Sequence, residues 1–168
     1  LDQIIKSKRV KFIRGDIVDY KKYYKYLKNI DFAINVAAES HVDRSFKNSL
    51  LFTRSNTLGA HTFVQGCIEN NVKKILQVST DEVYGQTLKG QKNEQSLMNP
   101  TNPYSASKAA AEIIINSYKF FDSDRILTVR GNNIYGIRQF PEKLIPSCIV
   151  NLIKNKKIKL NGNKIKDM

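Results

Sequence analysis

Short apolar runs alternate along the chain with longer segments in which apolar residues recur every three or four positions. The short runs are rich in β-branched residues, as buried strands are, and cover residues 10–14, 32–36, 75–78 and 126–129. The helical spacing covers residues 20–27, 50–69 and 104–121. This alternation of strands with helices predicts an α/β fold built on a doubly wound parallel sheet.

The pattern changes after Gly136. Pro141 opens a further predicted helix that runs to about Lys154, and a short extended tail follows. We therefore expect two parts, a sheet domain over residues 1–136 and the start of a second part over residues 137–168.

Polar residues follow every predicted strand. In parallel sheets of this kind ligands bind beyond the carboxyl ends of the strands, so these segments are where chemistry is expected. The four segments are Gly15-Asp16-Ile17, Ala37-Ala38-Glu39-Ser40-His41, Ser79-Thr80-Asp81-Glu82 and Gly131-Asn132-Asn133.

Composition narrows the possible partners. The net charge of +13 favours anionic ligands, but the lysines are scattered rather than clustered among stacking aromatics, so we expect no nucleic-acid partner. No apolar run approaches the roughly 20 residues that span a bilayer, so we expect no membrane partner and a cytoplasmic location. His41 and His61 have no second His or Cys at ligand spacing, so no metal is expected.

Tyr104 and Lys108 stand four residues apart on a predicted helix, so a phenol and an ammonium share one face. Lowering a phenol pKa by about three units takes about 4 kcal/mol, and a neighbouring cation could contribute it. The same spacing also fits an ordinary helix with a packed Tyr and a solvated Lys. The motif alone leaves both interpretations open.

Thr80, Asp81 and Glu82 directly follow a predicted buried strand. Two adjacent carboxyl groups can act as one acid and one base if their surroundings separate their pKa values. A strand-end turn also uses Thr and Asp for local hydrogen bonds, so this triplet too has a purely structural interpretation.

Five segments of the chain are distinctive when taken together and in order. They are Gly15-Asp16-Ile17, Ala37-Ala38-Glu39-Ser40-His41-Val42-Asp43, Val78-Ser79-Thr80-Asp81-Glu82-Val83-Tyr84-Gly85, Asn102-Pro103-Tyr104-Ser105-Ala106-Ser107-Lys108 and Gln139-Phe140-Pro141-Glu142-Lys143-Leu144-Ile145-Pro146. These segments closely resemble the nucleotide-diphosphate-glucose 4,6-dehydratases of the extended short-chain dehydrogenase/reductase family. Within that family the Thr-Asp-Glu triplet separates dehydratases from epimerases and decarboxylases.

The resemblance implies a Rossmann-like domain and an NAD-dependent lyase that makes a 4-keto-6-deoxy sugar. Tyr104 would take the C4 hydroxyl proton as hydride passes to NAD, Thr80 would hydrogen-bond the same oxygen, and Lys108 would hold the ribose. Glu82 would then remove the C5 proton while Asp81 protonates the departing C6 hydroxyl, and hydride would return to C6.

Further site residues are implied position by position. For NAD they are Asp16, Ile17, Val36, Ala37, Ala38, Glu39, Ser40, Ser55, Tyr104 and Lys108. For the sugar nucleotide they are Ser40, Thr80, Asn133, Lys143, Leu144, Lys159, Leu160 and Asn161. Residues 1–136 would then be part of the NAD-binding domain, and residues 137–168 the start of the substrate-binding part. The family also implies a homodimer for the complete protein.

The segment from Arg130 to Gly136 is more similar to the UDP-glucose dehydratases of rhamnose synthesis than to the dTDP-glucose enzymes, so UDP-glucose is the favoured substrate. Three alternatives stay open, namely an epimerase or decarboxylase of the same family, a basic binding module and an inactive fragment.

No glycine precedes Gly15, so the chain has no glycine-rich turn of the kind that brings backbone amides to a dinucleotide pyrophosphate. The resemblance starts after the family's N-terminal glycine-rich βαβ element and stops before most of its C-terminal substrate subdomain. We therefore expect a fragment that is an incomplete enzyme and binds NAD poorly by itself, which a calorimetric titration would test.

Overall fold

The structure is a computed structural model that describes residues 7–121 and 124–158. Short 3₁₀ turns at Tyr24–Tyr26 and Asp81–Tyr84 lie between the main helices and strands. The main elements in chain order are α1 (Tyr20–Tyr23), β1 (Phe32–Asn35), α2 (Val42–Lys47), α3 (Ser49–Phe52), a π-helical segment (Thr53–Leu58), α4 (Gly59–Glu69), β2 (Lys74–Thr80), α5 (Pro103–Lys119), β3 (Ile126–Gly131) and α6 (Leu144–Ile153).

The three strands form a parallel sheet in the order β1-β2-β3. Ile75 at the start of β2 lies between Ala33 of β1 and Ile126 of β3. Parallel neighbours require crossover connections, and the helices between the strands provide them. The predicted parallel α/β fold is therefore confirmed, and the carboxyl ends of all three strands meet at one edge of the sheet.

The core lies between one face of the sheet and helices α4 and α5. Val64 and Cys67 of α4 and Ile115 of α5 are fully buried against Ile75 and Ile126. Along β1 the burial alternates, since Ala33 and Asn35 are buried while Phe32 and Ile34 are 73% and 58% exposed. Within the described residues, only one face of the sheet is therefore fully covered by helices.

The predicted helix over residues 50–69 is present and runs continuously through α3, the π-helical segment and α4. Asn48 caps its start, since the Asn48 side chain accepts a hydrogen bond from the Leu51 amide. Gly59 opens α4 where the loop after residue 15 passes close by. A Cβ there would lie 2.5 Å from Cγ2 of Ile17, so this loop can rest on the helix only because Gly59 has no side chain.

The strand predicted over residues 10–14 is wrong, since these residues have no regular secondary structure. A strand needs a hydrogen-bonded neighbour, and no strand of the described chain pairs with this segment. The predicted helix over residues 20–27 is α at Tyr20–Tyr23 and tightens to a 3₁₀ turn at Tyr24–Tyr26. The last helix begins at Leu144 rather than at Pro141.

The chain divides into two compact units between Asn132 and Asn133, and the sheet and helices α1 to α5 belong to the first. The second unit contains α6, which begins after Lys143. Among the described residues, no helix is both long and apolar enough to cross a bilayer.

Candidate active site

The turn that follows β2 carries both candidate carboxyl groups. Thr80 is the last residue of β2, and its hydroxyl accepts a hydrogen bond from the Glu82 amide at 3.2 Å and donates to Oδ1 of Asp81 at 3.3 Å. These bonds start the 3₁₀ turn Asp81–Tyr84. The local hydrogen bonding that a strand-end turn uses is therefore present, but it leaves the Glu82 carboxylate outside the turn's own bonds.

The first turn of helix α5 meets that turn through Asn102. The Asn102 side chain caps the helix by accepting a bond from the Ser105 amide at 2.8 Å, and the Ser105 hydroxyl accepts in return from the Asn102 amide. The Nδ2 atom of Asn102 donates to Oε2 of Glu82 at 3.3 Å. One cap residue thus fixes both the start of α5 and the direction of the Glu82 carboxylate.

Gly85 ends the turn at φ +71°, a conformation that residues with a side chain rarely adopt. A Cβ there would lie 2.0 Å from the Asn99 carbonyl oxygen, because the loop of residues 86–102 comes back against the turn. The Asn99 amide donates to the Val83 carbonyl at 2.9 Å and holds the end of the loop there.

Tyr104, in the first turn of α5, is 9% exposed and packs edge-on against the Phe52 ring. Burial raises the pKa of its phenol, a hydrogen bond with Thr80 opposes that shift, and the charges of Glu82 and Asp81 add to it. The net pKa is above the ordinary value, so the chain's own groups keep the phenol protonated. The expectation that a neighbouring Lys lowers this pKa is not met by the side chains of the protein alone.

Lys108 follows one turn later and is 5% exposed. Its ammonium donates to the Val78 carbonyl of β2 at 2.7 Å. Burial lowers the pKa of Lys108 to about 8, while the charge of Glu112 opposes the shift. The interpretation of this residue as a solvated surface lysine is therefore wrong, because its ammonium is buried against β2, the central strand of the sheet.

A pocket of about 260 Å³ lies between the loop after residue 14 and the carboxyl end of β1. Asp16 lies at this pocket and accepts bonds from the Val18 amide at 3.0 Å and from Arg54 at 2.8 Å, which together hold its pKa below the ordinary value. The lining includes Gly15, Asp16, Ile17, Val36, Ala37 and Phe63.

The segment after β1 is fastened to the two helices by Asn56, in the π-helical segment. Its Oδ1 accepts from the Glu39 amide at 2.8 Å, and its Nδ2 donates to the Glu39 carbonyl at 3.0 Å and to the Ser107 hydroxyl at 2.9 Å. π-Helical turns are frequent at functional sites. Here the π-helical segment contains the buried side-chain amide of Asn56, in which the oxygen and both N–H groups are hydrogen-bonded. Ser55 precedes it and is half-buried.

The first unit therefore contains all five predicted catalytic residues and all of the predicted cofactor residues. Hydrogen bonds join Thr80 to Asp81 and to the Glu82 amide, and Thr80 also lowers the pKa of the Tyr104 phenol against the effect of burial. Lys108 bonds to Val78 of the same strand, β2. Of the residues predicted for the sugar nucleotide, Asn133, Lys143 and Leu144 lie in the second unit. Lys159, Leu160 and Asn161 lie outside the described residues.

Sequence reasoning missed the polar residues that hold this arrangement together. Asn56, Asn102, Glu112 and Arg130 each bond to an element distant in sequence. The one signal available was the presence of a polar residue, such as Asn56 or Glu112, within a segment of helical apolar spacing.

The family model described as GDP-mannose 4,6 dehydratase matches residues 1–167. A dTDP-D-glucose 4,6-dehydratase of Dictyostelium discoideum is 43% identical over 173 residues, covering 95% of this chain and 40% of the relative. A trifunctional UDP-glucose 4,6-dehydratase, epimerase and reductase of Arabidopsis thaliana is 40% identical over 169 residues, covering 97% of this chain and 25% of the relative.

Among solved structures, the dTDP-glucose 4,6-dehydratase DesIV double mutant from Streptomyces venezuelae, crystallised with NAD and DAU bound, superposes with a TM-score of 0.91 at 34% identity. The match covers 95% of this chain and 49% of that one. The chain thus spans about half or less of the length of these relatives. On the family match across nearly every residue, together with these likenesses, the chain belongs to the GDP-mannose 4,6 dehydratase family of nucleotide-sugar 4,6-dehydratases, within the extended short-chain dehydrogenases/reductases.

Proposed function

We propose that the protein containing this chain converts a nucleotide-diphosphate glucose, UDP-glucose in preference to dTDP-glucose, into its 4-keto-6-deoxy sugar with NAD as a bound cofactor. One observation carries the proposal. The hydroxyl of Thr80 donates to Asp81 and accepts from the Glu82 backbone amide, and it opposes the rise in the pKa of the Tyr104 phenol. The phenol and the turn that carries both carboxyl groups therefore meet at the carboxyl end of β2.

The pocket beside β1 fits the adenosine part of NAD. Its apolar walls, Ile17, Val36 and Phe63, suit a flat aromatic base, and the ionised Asp16 offers acceptors to amino or hydroxyl donors. Lys108 has three N–H donors and uses one on Val78, so it can also donate to ribose hydroxyls. When bound, NAD supplies the acceptance and return of hydride.

In the proposed reaction Tyr104 takes the proton of the sugar C4 hydroxyl, assisted by the Thr80 hydroxyl. Because its phenol is protonated in the chain alone, its pKa has to fall when positive charge is bound nearby, and Lys108 stands one helical turn away to add to that charge. Glu82 and Asp81 then serve as base and acid for the loss of water. Their surroundings differ, since Glu82 accepts from the Asn102 amide and Asp81 from the Thr80 hydroxyl.

In this proposal residues 1–136 hold the cofactor and residues 137–168 begin the substrate-binding part, with Asn133, Lys143 and Leu144 meeting the sugar nucleotide. The proposed preference for UDP-glucose is supported by the similarity of the Arg130–Gly136 segment to the enzymes of rhamnose synthesis. With that substrate the enzyme would act in the synthesis of rhamnose or a similar deoxysugar. Comparing kcat/KM for UDP-glucose and dTDP-glucose in the protein made from its complete reading frame tests the preference. A higher value for dTDP-glucose would reverse it.

Replacing Glu82 by Gln tests the reaction itself. The amide keeps the size of the side chain but cannot take a proton, so release of the 4-keto-6-deoxy product should fall by at least about 100-fold, the range that general base catalysis supplies. Hydride transfer from C4 should continue, and the reduced cofactor should be seen by its absorbance. Glu69→Gln, the same change at the exposed end of α4, is the matched control. Unchanged product formation in Glu82→Gln would remove Glu82 from the mechanism.

An epimerase or decarboxylase of the same family is the alternative. Tyr104 and Lys108 serve those reactions equally well. Two carboxyl groups in one turn, with Asp81 bonded to Thr80 and Glu82 bonded to Asn102, instead favour a reaction in which water is lost. Incubation with UDP-glucose separates the two, because a dehydratase forms a keto sugar with an alkaline chromophore and an epimerase forms only a second hexose.

A further inference from the structure

Glu112 of α5 is a carboxylate that the proposed reaction does not use, although it is 1% exposed. Its Oε1 atom accepts a hydrogen bond from the Ser79 hydroxyl. Both carboxylate oxygens also accept from Arg130, whose Nε lies 2.9 Å and whose Nη2 lies 2.7 Å from Oε2. The Arg130 side chain is itself only 15% exposed. A buried ion pair can often be replaced by apolar residues without loss of stability, so burial of this pair is weak evidence for a purely stabilising role.

The Nη1 atom of Arg130 does not bond to Glu112. It donates to the Tyr84 hydroxyl at 2.8 Å and to the Glu94 carbonyl at 3.1 Å. The guanidinium carbon also lies 4.8 Å from the centre of the Tyr84 ring. Tyr84 closes the 3₁₀ turn that carries Asp81 and Glu82, and Glu94 belongs to the loop of residues 86–102.

The other side of the network reaches the helix of the phenol and the ammonium. Glu112 follows Lys108 by four residues and Tyr104 by eight, so all three lie on one face of α5. Ser79, bonded to the same carboxylate, directly precedes Thr80 in β2. A single guanidinium on β3 therefore connects the turn of the two carboxyl groups, the loop beside it and the helix of Tyr104.

We propose that Arg130 is a positioning residue that fastens the Asp81–Tyr84 turn and the 86–102 loop to helix α5, and so fixes the two carboxyl groups relative to Tyr104. The proposal rests on the function proposed above for these groups. The geometry requires arginine, because a guanidinium directs five N–H donors in fixed directions, whereas an ammonium on one nitrogen cannot reach Glu112, Tyr84 and Glu94 together.

The variant Arg130→Lys separates positioning from folding, since its charge still compensates the buried Glu112. In the protein made from its complete reading frame, we expect the ion pair to α5 to survive and the contacts to Tyr84 and Glu94 to be lost. Loss of water should therefore slow more than the first hydride transfer. We expect kcat to fall by about 10-fold to 100-fold with KM within about threefold, and reduced cofactor to accumulate during turnover, because misplacement by about 1 Å can cost about 100-fold.

Two further variants sharpen the test. Tyr84→Phe keeps the ring beside the guanidinium and removes only the phenol oxygen, so it should change the same step in the same direction by a smaller factor. Arg9→Lys, at an exposed position, should leave all rates unchanged. Equal slowing of hydride transfer and water loss in Arg130→Lys, or a kcat within about threefold of the parent, would overturn the proposal.

Backbone hydrogen exchange gives a readout that does not need activity. The amides of Glu82, Gly85 and Asn99 are bonded within the turn and the loop base. In Arg130→Lys they should exchange at least about 10-fold faster, while α4 is unchanged, because only the fastened segment opens locally. Faster exchange throughout the chain would indicate a general loss of stability and count against positioning, as would unchanged exchange. If the parent protein converts no nucleotide-diphosphate glucose, the proposed function fails, and exchange alone then decides whether Arg130 anchors the turn.

Discussion

Lys108 and Tyr104 show how far a side chain's chemistry depends on what surrounds it. Both residues are buried, and burial disfavours the charged form of each, so the pKa of Lys108 falls to about 8 while that of Tyr104 rises. The two shifts together leave the phenol neutral and the ammonium easily deprotonated in the chain alone. In the proposed reaction an active phenolate therefore requires positive charge to arrive with the ligand, so the proposal ties proton transfer to an occupied cofactor site.

The burial of Lys108 predicts a stability that depends on pH. Since its folded pKa of about 8 lies below its ordinary value of 10.5, the unfolded state binds more protons between these values, and stability rises with pH across that window. Lys108→Met removes the buried charge, so it should be the more stable protein near pH 7. Its advantage should shrink by on the order of 3 kcal/mol by about pH 11, since one pKa unit is about 1.4 kcal/mol.

Urea unfolding of both proteins across this range measures the effect, and titrations common to both cancel in the difference. Lys28→Met, at an exposed position, is the control and should show a difference that does not vary with pH. A Lys108→Met protein that is less stable than the parent near pH 7 would show that the bond to Val78 outweighs the cost of burying the charge.

At the scale of elements, the strands of the sheet and the long helices were predictable because their patterns are local. The path of residues 50–69 was recognised as helical, but its π-helical segment was not, since the change of hydrogen bonding is tied to Asn56 contacts with Glu39 and Ser107. The strand expected at residues 10–14 failed for the same kind of reason, because pairing depends on a distant partner.

The candidate site shows the same difference between local patterns and contacts with distant elements. Thr80, Asp81 and Glu82 could be found because they directly follow a strand, and Tyr104 with Lys108 because their spacing is helical. The partners that orient them could not, since nothing local connects Asn102 to Glu82 or Arg130 to Tyr84. Sequence pattern identifies reacting groups by type, whereas their directions come from contacts between elements.

Asn102 allows the cap of α5 to be separated from the orientation of Glu82. Asn102→Ala removes both contacts and should lower the free energy of unfolding by about 1 kcal/mol, the usual contribution of an N-cap. Asn102→Asp keeps a good cap with a charge that the helix dipole favours, so its stability should stay within about 0.5 kcal/mol of the parent. It nevertheless removes the amide donor to Glu82 and puts a second carboxylate beside it.

Both variants should therefore slow the loss of water, although only Asn102→Ala should be clearly less stable. Thermal unfolding and the rate of 4-keto-6-deoxy product formation, measured on the same preparations of the complete protein, separate the two effects. Full activity in Asn102→Asp would mean that the contact with Glu82 contributes nothing to the reaction.

At the scale of the whole molecule, the charge is strongly unbalanced. The chain has 28 Lys and Arg residues against 15 Asp and Glu, and several of the acidic residues are already used in ion pairs, such as Asp16 with Arg54 and Asp31 with Lys73. Among the residues that the structure describes, most Lys and Arg side chains are exposed, so the excess positive charge there lies mainly on the surface. Such an excess favours a multiply anionic ligand such as a nucleotide diphosphate, and it also repels itself when the chain is compact.

Salt should therefore stabilise this chain. Raising NaCl from about 0.01 M to about 0.15 M shortens the screening length from about 30 Å to about 8 Å, which weakens repulsion between distant lysines more than attraction within pairs in contact. The urea midpoint of unfolding should rise over this range. The triple variant Lys28→Gln, Lys47→Gln and Lys89→Gln removes three exposed charges, so its midpoint should start higher and rise less. A midpoint that falls with salt in the parent would show that the paired carboxylates, rather than the unpaired lysines, set the electrostatic balance of the fold.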